Sequence, residues 1–151
     1  MTPEERLAEL GLEVPEVAAP VAAYVPAVRS GSHIYTSGQL PVRMGELLAT
    51  GKVGGEVTAE EAYACAQQCA LNAMAAVRAE LGELALVKRV VKAVVFVAST
   101  PDFTGQPGVA NGASELLGQV FGDAGAHARS AVGVPVLPLD APVEMELVVE
   151  V

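Results

Sequence analysis

The chain has 151 residues, 52% of them hydrophobic, and 9 Lys and Arg against 18 Asp and Glu give it a net charge of −9. Its length supports one well-buried core and no composition shift marks a second, so a single domain over residues 1–151 is expected. An acidic chain with no basic cluster longer than Lys88-Arg89 repels polyanions, which argues against RNA or DNA as a partner, and no apolar run reaches the ~18 residues of a membrane span.

Met1 to Gly11 carries three Glu instead of the basic and apolar regions of a signal peptide, so a cytoplasmic protein is expected. The first element is "TPEERLAELG", a short helix with Thr2 as N-cap, Pro3 at its first position, Glu5 completing a capping box and Gly11 after its end. "YVPAVR" (24–29) and "HIYTSG" (33–38) read as two strands around Gly31, a hairpin. Glycines 45, 51, 54 and 55 then mark a loop with room for a short strand.

Thr58 and Glu61 form a second capping box, and a helix is predicted from Ala59 to Leu81, ending at Gly82. Its apolar stripe, Ala62, Ala66, Cys69, Ala73 and Val77, is narrow enough to lie close on a sheet. Cys65 and Cys69, four apart on that helix, suit buried thiols better than a disulfide. With only His33 and His127 as further soft ligands, no metal site is expected. The Val run at 87–99 fits a central strand covered on both faces. After the Pro/Gly loop "STPDFTGQPG", a helix is predicted over about 110–121, with Asn111 near its start as a candidate N-cap. "RSAVGVPVL" and "PVEMELVVEV" close the chain as two more strands, separated by Pro138 and Pro142. The order α, β, β, α, β, α, β, β predicts an α+β fold, with two main helices on one face of a mixed sheet and a short N-terminal helix beside them.

Motifs for phosphate loops, nucleophile elbows and zinc helices are absent from the sequence. What remains is the closing strand pair read with period two. Arg129, Ala131, Gly133 and Pro135 share one side of the first strand, while Ser130, Val132, Val134 and Val136 share the other, which the pattern assigns to the core. Arg129 then overlooks a hollow above Ala131 and Gly133, of a kind that suits a small ligand. On the last strand Val143, Met145, Leu147, Val149 and Val151 share one face, opposite Glu144, Glu146, Val148 and Glu150. If Glu144 lies across from Arg129, the two form an ordinary cross-strand salt bridge. Alternatively, the guanidinium receives a substrate carboxylate and Glu144 orients water or accepts a proton. Tyr24 and Ser37 are polar positions in apolar strands, with ordinary half-buried roles as the simplest reading.

"IYTSGQLPV" (34–42) together with "HARSAVGVPVLPLDAPVEMELVVEV" (127–151) resembles the reactive intermediate deaminase family, YjgF/YER057c/UK114, also labelled endoribonuclease L-PSP. The likeness runs over nearly the whole chain. It implies a chorismate-mutase-like α+β fold and a homotrimer with clefts between subunits. It also implies cofactor-independent hydrolysis of amino-acid-derived enamines and imines to 2-keto acid and ammonia. By position, Arg129 matches the arginine that clamps the substrate carboxylate and Glu144 the acid near the hydrolytic water. Tyr24, Ser37 and Asn111 match cleft residues, and Ala131 stands in the cleft where typical deaminases often have Cys. The "A-A-Y" at 22–24 replaces a "G-P-Y" context and the loop at 101–110 is longer, which places the chain in a divergent branch. The alternatives to an imine deaminase are a trimer that binds a small carboxylate or imino acid without turnover and, third, an endoribonuclease, which the charge disfavours.

Overall fold

The structure, a computed structural model, describes residues 1–19 and 23–151; Ala22 of the "A-A-Y" stretch lies outside them. Both capping boxes form. Thr2 starts α1 (Pro3–Glu9) and Thr58 starts α2 (Ala59–Leu81), each hydroxyl accepting from the Glu backbone N–H three residues on, at 3.1 Å. Gly82, at φ +98°, closes α2 in a conformation that side chains resist.

The first hairpin pairs β1 (Ala27–Ser30) with β2 (His33–Thr36) around Gly31, at φ +60°. Tyr24 therefore precedes the strand in which the pattern placed it, and Ser37 follows β2. The glycine-rich stretch holds a small hairpin of its own, β3 (Val42–Arg43) with β4 (Glu46–Leu47). The Val run becomes β5 (Arg89–Ala98), followed by α3 (Gln106–Phe121), β6 (Ala128–Val134) and β7 (Val143–Glu150). Turns of 3-10 helix occupy Leu84–Leu86, Gly122–Gly125 and Pro138–Asp140. α3 begins earlier than its apolar pattern indicated, because Pro107 sits in the first turn, where a missing N–H costs nothing. Asn111 is thus no N-cap; it projects from the second turn.

The main sheet runs β1-β2-β7-β5-β6, antiparallel except for the parallel pair β5 and β6 that α3 connects. This is the expected α+β architecture, with both long helices on one face. On β7 the alternation holds: Val143, Met145, Leu147 and Val149 are at most 1% exposed beneath the helices. On β6 it inverts. Arg129, Ala131 and Gly133 lie in register with Ala93, Val95 and Val97, which are fully buried against the helix layer, so the arginine side faces the helices. Val132 and Val134 belong to the other face. The physical reason is that both faces of this sheet are apolar, so hydrophobicity along an edge strand does not say which face is which; only the neighbour's register does.

That second face is only partly covered within the chain. The loops carrying Leu40, Leu137 and Ala141 close one end of it over Ala98 and Phe96. Beyond them Val28, Tyr35 and Val132 remain 53%, 49% and 45% exposed, with Val94 and Val148 half-buried between them. The expectation that β5 is covered on both faces is therefore met on its helix face alone.

The helix layer is held close by small residues. Ala62, Ala66, Ala70, Ala73 and Ala76 of α2 are fully buried, and a Cβ at Gly112 of α3 would collide with the Tyr63 carbonyl oxygen of α2. Gly112→Ala is expected to destabilise the protein by about 1–3 kcal/mol through overpacking against a backbone that cannot retreat. Gly108→Ala, in the exposed first turn where nothing lies within 4 Å of the added carbon, is expected to stabilise it by about 0.4–1 kcal/mol. Chemical denaturation of the two variants against wild type checks both signs.

Candidate functional site

Arg129 leaves β6 on the helix side and reaches α3, where residues 111 and 114 share a face one turn apart. Its Nη1 donates to Asn111 Oδ1 at 2.8 Å and to Ser114 Oγ at 3.1 Å. Since a guanidinium only donates, the amide atom that faces it is necessarily the oxygen. Nε and Nη2 have no hydrogen-bond partner among the described residues, so the edge that matches a carboxylate in bidentate geometry is available. Ser114 also contacts His127 Nε2 at 2.9 Å, and His127 Nδ1 lies 2.6 Å from the Gly125 carbonyl. Arg129, Ser114 and His127 border an open depression of about 480 Å³, floored by Gly118, Gly122 and Gly125 and flanked by Asp123.

The hollow is not where the strand pattern put it. A Cβ on Gly133 would lie 2.9 Å from both the Gln106 amide nitrogen and the Ser99 hydroxyl, so those side chains already occupy the space above it. Ala131 packs against the core. The open volume lies toward the start of β6 instead, beside His127.

Glu144 is elsewhere. β5 separates β7 from β6, and Glu144 lies in register with Phe96, which in turn pairs with Val132, so it projects from the face opposite Arg129. The cross-strand salt bridge is thereby excluded within one chain. The Glu144 carboxylate instead rests on Gly38, where any Cβ would strike it. Ser37, next to Gly38, donates its hydroxyl to the Val25 carbonyl at 2.6 Å, and its backbone N–H bonds to Pro26 at 2.8 Å. These bonds hold the segment bearing Tyr24 against the end of β2. Tyr24 and Gly38 line a small apolar cleft of about 80 Å³ with Leu139 at its rim.

The six residues singled out from sequence thus form two groups: Arg129 and Asn111 with Ala131 below them on the helix side, and Tyr24, Ser37 and Glu144 on the other. The pattern missed Ser114 and His127 as partners of Arg129. A signal existed, since His127 and Arg129 are two apart at a strand start and Asn111 and Ser114 three apart on a helix; the two pairs become neighbours only through the β5–β6 crossover.

A profile of the family described as "YjgF/chorismate_mutase-like, putative endoribonuclease" matches residues 4–151. The chain belongs to this family. It is 48% identical over 145 residues to Protein TCP17 of Trypanosoma cruzi, covering 95% of this chain and 91% of that one. It is 32% identical over 140 residues to a 2-iminobutanoate/2-iminopropanoate deaminase of Dermatophagoides farinae, covering 91% and 93%. The crystal structure of Atu1372 from Agrobacterium tumefaciens superposes with a TM-score of 0.93 at 45% identity, over 99% of this chain and 93% of that one. No helix among the described residues is long and apolar enough to cross a membrane.

Burial raises the Glu144 carboxyl above its ordinary range, and repulsion from Glu146 adds to the effect. Cys65 is pushed up to about 11 by burial, and Cys69, more deeply buried, is raised as well, so neither thiol is a ready nucleophile. For Glu144 the linkage sign is definite: folding disfavours its ionised form, so its effect on stability is absent at low pH and becomes destabilising as pH rises through the raised value. Glu144→Gln is therefore expected to melt higher than wild type near pH ~7, with the difference closing on acidification to about pH 4; thermal denaturation across that range measures it.

Proposed function

We propose that the protein is a hydrolytic deaminase of small enamine or imine intermediates of amino acids, with Arg129 clamping the substrate carboxylate. The observation that carries the reading is the state of Arg129: one edge of its guanidinium is anchored on Asn111 and Ser114, and the other is presented beside an open depression. A planar fork fixed on one side is suited to hold a planar carboxylate on the other, which a lysine cannot imitate. The 32% identity to a 2-iminobutanoate/2-iminopropanoate deaminase supports the substrate class.

The chemistry asks for little more. An imine carbon is already electrophilic, so fixing the carboxylate and placing one water supplies much of the rate by proximity. Water adds to the imine carbon as the C=N π bond opens onto nitrogen, giving a carbinolamine. The hydroxyl oxygen of the carbinolamine then gives up its proton as the C–N bond breaks, so that C=O forms and the nitrogen, taking up a proton, leaves as ammonia. Glu144, with its affinity for a proton raised by burial, takes a proton from the attacking water and gives it to the nitrogen as the carbinolamine forms, then relays the hydroxyl proton to the departing nitrogen in the same way.

Because Arg129 and Glu144 project from opposite faces of one sheet, the complete site requires two copies of the chain. The exposed apolar face bearing Val28, Tyr35 and Val132 favours such packing. A homotrimer with clefts between subunits satisfies both demands. RNA cleavage is the weaker reading, since a chain of net charge −9 offers little to a phosphate backbone.

Formation of 2-keto acid from freshly generated 2-iminobutanoate tests the proposal. Arg129→Ala is expected to lower kcat/KM at least about 30-fold, Arg129→Lys to recover only part of it, and Glu144→Gln to lower kcat. Co-expressed Arg129→Ala and Glu144→Gln chains are expected to regain activity that neither has alone, because a mixed pair of subunits rebuilds one intact site. Equal rates for wild type and Arg129→Ala would refute the clamp, and binding of 2-keto acids with no turnover by wild type would establish a carrier or sensor instead.

A further inference from the structure

The Gly125 carbonyl, His127, Ser114, Arg129 and Asn111 form an unbroken line of hydrogen bonds with a definite direction. A backbone carbonyl can only accept, so His127 carries its proton on Nδ1 and donates it to Gly125 across 2.6 Å. In the neutral ring Nε2 is then an acceptor, and the Ser114 hydroxyl donates to it across 2.9 Å. With its only proton committed, Ser114 Oγ accepts from Arg129 Nη1, whose donation to Asn111 Oδ1 ends the line.

From this geometry we infer that Ser114 and His127 are positioning residues that aim Arg129 at its carboxylate ligand and make the strength of that site depend on pH. The inference rests on Arg129 being the carboxylate clamp. Adding a proton to His127 makes Nε2 a donor. Ser114 Oγ has two lone pairs and accepts from both Nε2 and Nη1, so its own proton is released toward the depression as a further donor for an anion. The imidazolium also brings a second positive charge to the same rim. The charged groups around the same depression are Arg129 from β6, Asp123 from the 3-10 turn and, beside Gly122, Arg6 of α1. From α3, His127 meets Ser114, while Glu115 is engaged by the Tyr63 hydroxyl. Lys92 of β5, in register with Ala128, lies on the far face. A carboxylate bound to Arg129 offsets the guanidinium charge, so ligand and proton each promote the binding of the other, by the same factor.

The experiment uses the full chain with 2-oxobutanoate as the probe, its Kd measured by calorimetry from about pH 5 to pH 8, the window in which imidazoles change charge. Wild type is expected to bind more tightly as pH falls. His127→Gln, whose amide oxygen can still accept from Ser114 but does not titrate, is expected to bind with an affinity that no longer rises as pH falls. Ser114→Ala is expected to weaken binding about three- to tenfold throughout, and Ser114→Thr to restore it; melting temperatures show that each variant folds. An acid-side rise retained in His127→Gln, or wild-type affinity in a folded Ser114→Ala, overturns the inference while leaving the clamp in place. Wild-type affinity in Arg129→Ala overturns the clamp and the inference with it.

Discussion

The close contact between α2 and α3 at Gly112 is the constraint on which the rest of the molecule turns. Tyr63 places a backbone carbonyl where any side chain at 112 would have to sit, and Ala66 stands beside it. Asn111 and Ser114, which hold Arg129, flank that glycine on the same helix. The depth at which α3 seats on α2 therefore also sets how far the two polar side chains stand from β6. A stripe of alanines and one glycine, which looks like packing alone, thus governs where the anchors of Arg129 stand, because helix backbones are stiff and transmit position along their length.

Arg129 is a further consequence of that arrangement. An edge strand packed beneath the margin of a helix layer leaves a long side chain able to reach the helix while remaining open to solvent on its other edge. The parallel pairing of β5 and β6 forces the α3 crossover to return over the same edge, so helix and arginine meet. Glu144 lies on a strand separated from β6 by β5 and on the opposite face. Its raised proton affinity comes from partial burial beside Gly38 and repulsion by Glu146, without help or hindrance from the guanidinium. Two groups with complementary chemistry are thus built separately, on opposite faces of one sheet.

Much was legible in the sequence where the signal was local. Both capping boxes, the end of α2 at Gly82, the buried alternation of β7 and the burial of both cysteines follow from residues within a few positions of one another. Arg129 and Asn111, singled out from the sequence as candidates, are brought together by a hydrogen bond. The failures share one cause. Calling the valine side of β6 the core, placing the hollow above Gly133 and reading Asn111 as an N-cap each used one segment's pattern to decide a question about its neighbours.

The sequence by itself determined which segments become helix or strand and which residues are chemically able to hold a carboxylate, because capping, period and side-chain chemistry act over a turn or a strand. Only the tertiary structure decided which face of β6 meets the helices, that Ser114 and His127 stand behind Arg129, and that Glu144 lies across the sheet from it. Those facts depend on strand order and register, which are set by contacts between residues far apart in the chain, and a period-two pattern reads the same whichever way the strand is turned.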